Sequence, residues 1–265
     1  MLQIYRRMWQ VNWAEQWQYR ANLLMYLFFW IVSPIVYLAV WTTIATSQGS
    51  VSGLTRNDFV TYYLLLLIVD NLTSQITIHI LAYKIQDGTL SGDLLKPVHP
   101  ILTSTLVNNL AFKVLTWIAL APIWVVLCLL FRPDFSAVTP QAVLLAVPAV
   151  VLGFGINFLL SAVVTSLAFW TTRVYSLNEF VYALTILFGG LFVPLDVMPT
   201  LVRQIAQYLP FQLMIYFPIQ LVLGKLAPEQ IALNFALGAG WLAVSLALFL
   251  WIWRSGVRRF SAVGA

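Results

Sequence analysis

The sequence predicts an all-α integral membrane protein with six transmembrane helices, and three observations support this fold class. Hydrophobic residues make up 61% of the chain and charged residues only 9%, whereas ordinary soluble domains contain about 25% charged residues. Several runs without any charge exceed the ~20 residues that a helix needs to cross ~30 Å of hydrocarbon. Between Leu187 and Phe211 glycines and prolines break a long apolar run, which is unusual in a membrane span because freed backbone groups there need partners.

The 265 residues are expected to form a single transmembrane domain. Runs that are apolar and nearly free of charge define its spans. The fifth span is the shortest, and Glu179 lies near its start. The six expected spans cover residues 21–46, 59–82, 101–131, 140–170, 177–194 and 230–253.

An amphipathic helix is predicted before the first span, over residues 1–20. Tyr5, Trp9, Trp13 and Trp17 recur every four residues, which places them along one stripe of a helix. Because Trp and Tyr favour the headgroup layer, we expect this helix to lie in the cytoplasmic interface of the membrane. The alternative is a simple aromatic anchor without a mechanical role.

The distribution of basic residues predicts the orientation of the chain. One side of the predicted topology collects ten of them, Arg6, Arg7, Arg20, Lys84, Lys96, Lys113, Arg173, Arg254, Arg258 and Arg259. The other side collects four, Arg56, Arg132, Arg203 and Lys225. Both termini should therefore be cytoplasmic in a bacterial-type plasma (inner) membrane. The net charge of +5 is then a membrane feature, and no nucleic-acid partner is expected because no basic soluble face is formed.

Residues 83–100, between spans two and three, form the most polar loop of the chain. Gly88 permits a turn, and Thr89 or Ser91 could cap a short helix that has Asp93 in its first turn. Leucines would give that helix an apolar side, and Pro97 would end it. A short amphipathic helix just below the bilayer suits docking to a soluble partner; the alternative is an ordinary solvated turn.

Polar residues inside span two form a second candidate site. An acid such as Asp70 in the middle of a membrane helix costs ~2.5–3.5 kcal/mol on insertion scales, so it should face protein or water. We interpret Asp70, Asn71, Ser74 and Thr77 as a stripe along the transport pathway or the subunit interface. Two alternatives are interhelical hydrogen bonds of purely structural role and a proton relay that uses Asp70 with His79 and Glu179.

These features together resemble one family, the ABC-2 type permeases, which are the membrane subunits of ATP-binding-cassette exporters. The resemblance is carried by the six-span plan, the N-terminal helix, the loop sequence Ile85–Pro97 (Ile-Gln-Asp-Gly-Thr-Leu-Ser-Gly-Asp-Leu-Leu-Lys-Pro) and the Gly190–Pro210 segment. It is closest to an uncharacterised branch whose relatives include viologen- and drug-export components. It implies the ABC-2, type V exporter-like fold, with re-entrant extracytoplasmic helices over residues 195–218 before the last span.

The resemblance also assigns roles to residues. The loop 83–100 would be a coupling loop that sits in a groove of the ATPase, with contact residues Asp87, Gly88, Leu90, Asp93, Leu95, Lys96 and Pro97. The broken segment would form an extracytoplasmic cap, with Gly190, Pro194, Pro199 and Pro210 shaping it.

The ATPase is expected on another polypeptide. A phosphate-binding loop needs Gly-Lys followed by Ser or Thr, but Gly224 and Lys225 are followed by Leu226. ATP and Mg²⁺ would then bind to two copies of an ABC ATPase subunit. This chain would bind no cofactor or metal and would catalyse no reaction. It would pair with a second permease, a copy or a paralogue, and would contact membrane lipids.

The expected function is ATP-driven export of an amphipathic, lipid-like or drug-like substrate by alternating access. The alternative is an ion-coupled secondary transporter that uses Asp70. Such transporters often contain paired broken helices, and the sequence predicts only one break.

Overall fold

A computed structural model describes residues 20–260 together with Gln10 and Trp13. The predicted interfacial helix over residues 1–20 therefore lies outside the described residues, apart from these single positions and Arg20, and stays a prediction. The described residues form helices and no β-strand, which confirms the all-α class.

Eleven α-helices run through the described residues, with three short turns of tighter or wider helix between them. The α-helices are α1 Arg20–Gln48, α2 Arg56–Thr73, α3 Thr77–Gln86, α4 Leu90–Leu94, α5 Val107–Phe131, α6 Pro140–Ser166, α7 Val174–Phe188, α8 Thr200–Ala206, α9 Pro210–Met214, α10 Tyr216–Val222 and α11 Pro228–Val257. A π-helical turn covers Ile101–Leu106, and 3₁₀ turns cover Leu167–Phe169 and Leu195–Val197.

Five helical stretches in the described residues are long and apolar enough to cross a membrane. They are Trp30–Gln48, Arg56–Gln86, Ile101–Phe131, Pro140–Phe169 and Pro228–Val257. Large apolar side chains such as Leu129, Leu144 and Trp251 are exposed on them, as expected for a surface that faces lipid. These stretches match five of the six predicted spans.

The fifth predicted span is shorter than the other five. Helix α7 has 15 residues, and at 1.5 Å per residue it rises only ~22 Å. That is less than the ~30 Å of hydrocarbon, so α7 does not cross the membrane as a straight helix without its flanking residues.

Local signals explain where several helices begin. Thr55 and Asp58 form a capping box at the start of α2, in which the Thr55 N–H donates to Asp58 Oδ2 at 3.0 Å and the Asp58 N–H donates to Thr55 Oγ1 at 3.4 Å. Helix α6 begins with a Thr139 cap and with Pro140 in its first turn. Each cap satisfies an amide that has no partner within its helix.

The second half of the segment predicted as an outer cap is buried in the protein, whereas most of α8 is exposed. Helices α9 and α10 pack against α6, and α10 also packs against α2. Leu213, Phe217 and Ile219 are almost completely buried in the main hydrophobic cluster. Pro199 and Pro210 stand at the starts of α8 and α9, and α9 and α10 lie among the long helices. The role of the segment as an extracytoplasmic cap stays a prediction.

The loops gather at two opposite ends of the bundle. At the first, which we call the coupling end, Gln86 Nε2 donates to the Thr172 carbonyl at 3.4 Å. At the other, the distal end, Lys225 Nζ lies 3.2 Å from Asp58 Oδ1. The coupling end holds the loop 83–100 and the C-terminal end of α11, and the distal end holds the segment 189–225.

Candidate functional site

The loop 83–100 is a short helix folded back onto the bundle. Gly88 makes the turn that was predicted for it, with a φ of +78°, a conformation that favours glycine. Leu90, the first residue of α4, is completely buried in a cluster with Leu81, Ile85 and Ile101. Of the leucines predicted to form the apolar side, Leu90 and Leu94 pack against the protein itself, whereas Leu95 is exposed.

Asp93 fastens this helix to two neighbouring elements. Its carboxylate lies 2.6 Å from Lys84 Nζ at the end of α3 and 2.6 Å from Lys96 Nζ. Ser104 Oγ of the π-helical turn donates to it at 2.8 Å. Although burial raises the pKa of Asp93, the hydrogen bonds from Lys84, Lys96 and Ser104 outweigh this effect and lower the pKa to about 2. The loop is thus held by an ionised carboxylate.

This arrangement divides the seven predicted contact residues into two groups. Three of them are buried and cannot touch a partner protein directly: Gly88, Leu90 and Asp93. Four are exposed: Asp87, Leu95, Lys96 and Pro97. Leu95 is 88% exposed, the highest value of any large hydrophobic side chain in the described residues.

Sequence reasoning missed the two side chains that bind Asp93 from outside the loop's own helix. Lys84 lies nine residues before Asp93, and its opposite charge was a usable signal. Ser104 carried no such signal, because serines are common in apolar helices of this kind and only the fold brings this one to Asp93.

Span two is not one helix, and this was not predicted. Helix α2 ends at Thr73 and α3 begins at Thr77, so Ser74, Gln75 and Ile76 interrupt the span. None of the three is glycine or proline, the residues that usually break helices. The cause must therefore lie in what surrounds the break.

Side chains of neighbouring helices bind the backbone groups that the break sets free. The Ile76 N–H donates to Asn109 Oδ1 at 2.8 Å, and the Thr73 carbonyl accepts from Asn157 Nδ2 at 3.0 Å. Lys113 Nζ donates to the carbonyls of Asn71 at 2.7 Å and Ser74 at 2.6 Å. Within the span itself, the Thr77 N–H donates to the side chain of Gln75 at Oε1, at 2.6 Å. Such coverage is what backbone at membrane depth requires.

The break changes the predicted polar stripe. Asn71 and Thr77 are buried, whereas Asp70 and Ser74 are half-buried, so the four residues do not share one continuous accessible face. His79 and Glu179 are exposed, and no hydrogen bond within residues 20–260 joins either of them to Asp70. The proton relay stays an untested alternative that no direct contact within the described residues supports.

Lys113 was counted from the sequence among the ten basic residues on the side of the termini, and its buried position does not fit that count. Its side chain is buried inside the bundle, within α5, and lies 4.9 Å from the centre of the Phe154 ring. A lone lysine in an apolar run resembles an interfacial anchor, and only its carbonyl partners reveal a different role.

A cavity of about 580 Å³ lies at the distal end between the segment 195–226 and α11. Amide side chains such as Gln212, Gln220 and Asn234 line it. None of Asp70, Asn71, Ser74 or Thr77 lines this cavity, so it is separate from the polar stripe. In residues 20–260, no group of three His, Cys, Asp or Glu side chains is placed to hold a metal ion.

Comparison with known protein families gives one family match that covers most of the chain. The model of a family described as "ABC-2 family transporter protein" matches residues 23–264. The chain belongs to the ABC-2 transporter family. No curated protein matches this permease significantly. As a member of that family, the permease is a multi-pass membrane component of a transporter, and membership implies association with an ABC ATPase subunit.

Proposed function

We propose that this permease is the transmembrane subunit of an ATP-binding-cassette exporter. It moves an amphipathic, lipid-like or drug-like substrate by alternating access, while ATP and Mg²⁺ bind to two copies of a separate ATPase subunit. The observation that carries the proposal is the coupling loop, in which Leu95 is 88% exposed at the end of a helix that Asp93 fixes to the bundle. An apolar side chain held rigidly in water is suited to fill a pocket of a partner.

The charge of the two ends supports the orientation. With Lys113 removed from the interfacial set, nine basic residues remain on the side of the coupling end against four on the other side. The positive-inside rule then puts the coupling end and both termini in the cytoplasm of a bacterial-type inner membrane, where ATP is available.

The substrate pathway is proposed to run between this permease and a second one, a copy or a paralogue. Asp70 and Ser74 are the half-buried members of the polar stripe, and they are the two that can reach such an interface. Asn71 and Thr77 are buried within the chain and support the neighbouring backbone instead.

An ion-coupled secondary transporter is the second candidate, and one observation favours it. The break in span two, together with the broken segment after α7, gives the chain two discontinuous regions, a feature of such transporters. However, two of the carbonyls freed in span two already bind Lys113 Nζ and are not open to a free cation. Family membership and the exposed coupling loop favour the ATP-driven function.

The first test replaces Leu95 by aspartate. Losing an apolar contact of this size costs ~1.5–3 kcal/mol, so the permease should bind its ATPase at least ~10-fold more weakly. Co-purification from membranes with co-expressed ABC ATPases measures the effect. Leu201→Asp is the matched control, because Leu201 is 69% exposed but lies on α8 at the distal end. Equal ATPase recovery with both variants, or none with the wild type, would contradict the proposal.

A second test addresses the orientation. In a Cys128→Ser background, a cysteine at the exposed position Gln204 should react with a membrane-impermeant maleimide in intact cells. A cysteine at Leu95 should react only after permeabilisation. The reverse pattern would show that the coupling end faces outward and would remove the proposed contact with a cytoplasmic ATPase.

A further inference from the structure

The break in span two separates two hydrophobic clusters. Helix α2 contributes Phe59 to Val69 to the main cluster, together with the buried helices α9 and α10. The cytoplasmic half, α3, contributes Leu81 and Ile85 to a second cluster that includes Leu90 of the coupling loop. The two halves of one span therefore belong to different packing units, and the three residues Ser74–Ile76 connect them.

One face of α5 holds both sides of this connection. Lys113 binds the carbonyls of Asn71 and Ser74 at the end of α2. Asn109 lies one helical turn earlier, on the same face, and its Oδ1 accepts from the Ile76 N–H next to α3. A single neighbouring helix thus positions two of the three side chains that bind the freed backbone from outside the span, and the third is Asn157 of α6.

The Lys113 ammonium occupies these carbonyls as a bound cation would. In a continuous helix the Asn71 carbonyl would accept from the Gln75 N–H and the Ser74 carbonyl from the Ile78 N–H. Carbonyls freed where membrane helices unwind coordinate cations in other transporters, and here a side chain supplies the cation. Lys113 also interacts electrostatically with Asp70, which supplies an opposite charge nearby.

These contacts show one state of the span, and the joint proposed below requires a second. In the first, the helix is broken and the ammonium binds the two carbonyls. In the second, the ammonium has left and the same carbonyls re-form helical hydrogen bonds. Elements with two discrete arrangements of this kind transmit movement between distant parts of a protein.

We propose that the break at Ser74–Ile76 is the joint through which movement of the coupling loop reaches α2, and that Lys113 is the positioning residue that holds this joint open. This inference rests on the proposed function, because the movement originates in the ATPase. Helix α3 is the only segment of span two between the coupling loop and the joint, so it acts as the lever.

Distance measurement between two spin labels tests the joint. Arg56→Cys and Tyr83→Cys, both exposed, place labels on α2 and α3 in a Cys128→Ser background. Labelled permease is diluted with unlabelled permease in nanodiscs together with the ATPase, so that distances within one chain dominate. A continuous helix between these positions would span ~40 Å at 1.5 Å per residue.

The wild type should give a distance distribution that shifts when ATP is added. Lys113→Met removes the ammonium at similar length and should move the distribution toward the continuous-helix distance, with at least a fivefold smaller response to ATP. Lys113→Arg can still donate to both carbonyls and should restore most of the response. Val114→Met, on the exposed side of the same helix, is the control and should match the wild type.

The possible results separate the joint from the function. A Lys113→Met distribution and ATP response equal to those of Val114→Met would overturn the joint and leave the ATP-driven function intact. A wild type that does not respond to ATP, beside a Lys113→Met protein in which the distance still lengthens, would contradict the proposed function and the role of α3 as its lever. The role of Lys113 in holding the break open would remain. If Lys113→Met does not fold, Asn157→Leu, which removes only the bond to the Thr73 carbonyl, decides: a lengthened span supports the joint, and an unchanged one overturns it.

Discussion

Asp93→Asn should release the coupling loop from the bundle and weaken ATPase binding by ~30-fold. The substitution keeps the size of the side chain but removes the charge that holds Lys84 and Lys96 at 2.6 Å. Hydrogen bonds to charged groups contribute ~1.5–3 kcal/mol, and because both lysines are partly exposed we expect ~2 kcal/mol, which is ~30-fold. The effect should be similar in size to that of Leu95→Asp, although Asp93 itself is buried, because the contact surface loses its support.

A spin label at a cysteine replacing Leu95 measures the release directly. It should be immobile in the otherwise wild-type loop and mobile with Asp93→Asn. Asp87→Asn is the matched control, because Asp87 is an exposed acid of the same loop that forms no salt bridge within residues 20–260. A label that stays immobile in Asp93→Asn would show that apolar burial of Leu90 alone fixes the loop.

The same label gives a pH dependence with a defined sign. The pKa of Asp93 is lowered from 3.8 to about 2, so its contribution to loop stability is complete above the unfolded value. The contribution is lost as the pH falls from about 4 through about 2. Label mobility should rise in that window in the wild-type loop and should not change there with Asp93→Asn.

Gly190→Ala should destabilise the permease by ~2–5 kcal/mol. Gly190 has a φ of +84°, and an added Cβ would lie 2.5 Å from Tyr62 Oη. The left-handed conformation costs a non-glycine residue ~1–2 kcal/mol, and overpacking adds ~1–3 kcal/mol. Because Tyr62 Oη also donates to the Gly190 carbonyl at 2.8 Å, the new methyl group would disturb the bond that ties α2 to the broken segment.

Two further variants separate these causes in thermal unfolding of the purified permease. Gly49→Ala has a similar φ of +79° but no atom within 4 Å of the added Cβ, so it should show the backbone cost alone. Tyr62→Phe removes the hydroxyl that the methyl group would meet. Combined with Gly190→Ala, it should cost less than the sum of the two single changes. Equal effects of Gly49→Ala and Gly190→Ala would contradict the close approach.

Much of the fold could be predicted because its signals are local. Uncharged runs identified five long helices, and Gly88 identified the turn of the coupling loop, where the φ is positive. The break in span two gave no such signal. Its cause is a set of partners, Lys113 and Asn157, that lie about 40 and 80 residues away in the chain and reach it only in the folded bundle.

In the candidate site, too, some residues could be placed from local sequence signals and others only from the folded structure. Leu95 and Pro97 were predicted at a contact surface, and their exposure is consistent with that. Leu90 and Asp93 were assigned to the same surface, but a five-residue helix can turn either side toward the bundle. Which side is buried depends on the pairing of Asp93 with Lys84 and Ser104, and helical periodicity alone does not specify that pairing.

The partnership between Lys113 and the broken span also constrains how the chain enters the membrane. A lysine at the centre of a helix costs ~2.5–3.5 kcal/mol during insertion, and unpaired backbone groups in hydrocarbon cost several kcal/mol each. The ammonium and the freed backbone groups of Asn71, Ser74 and Ile76 find their partners when residues 56–86 meet residues 101–131. Since the segment that joins them is short, these two spans should leave the insertion machinery together as a preformed hairpin. If synthesis stalled between the two spans, the backbone groups freed at the break in residues 56–86 would lack their partners in residues 101–131.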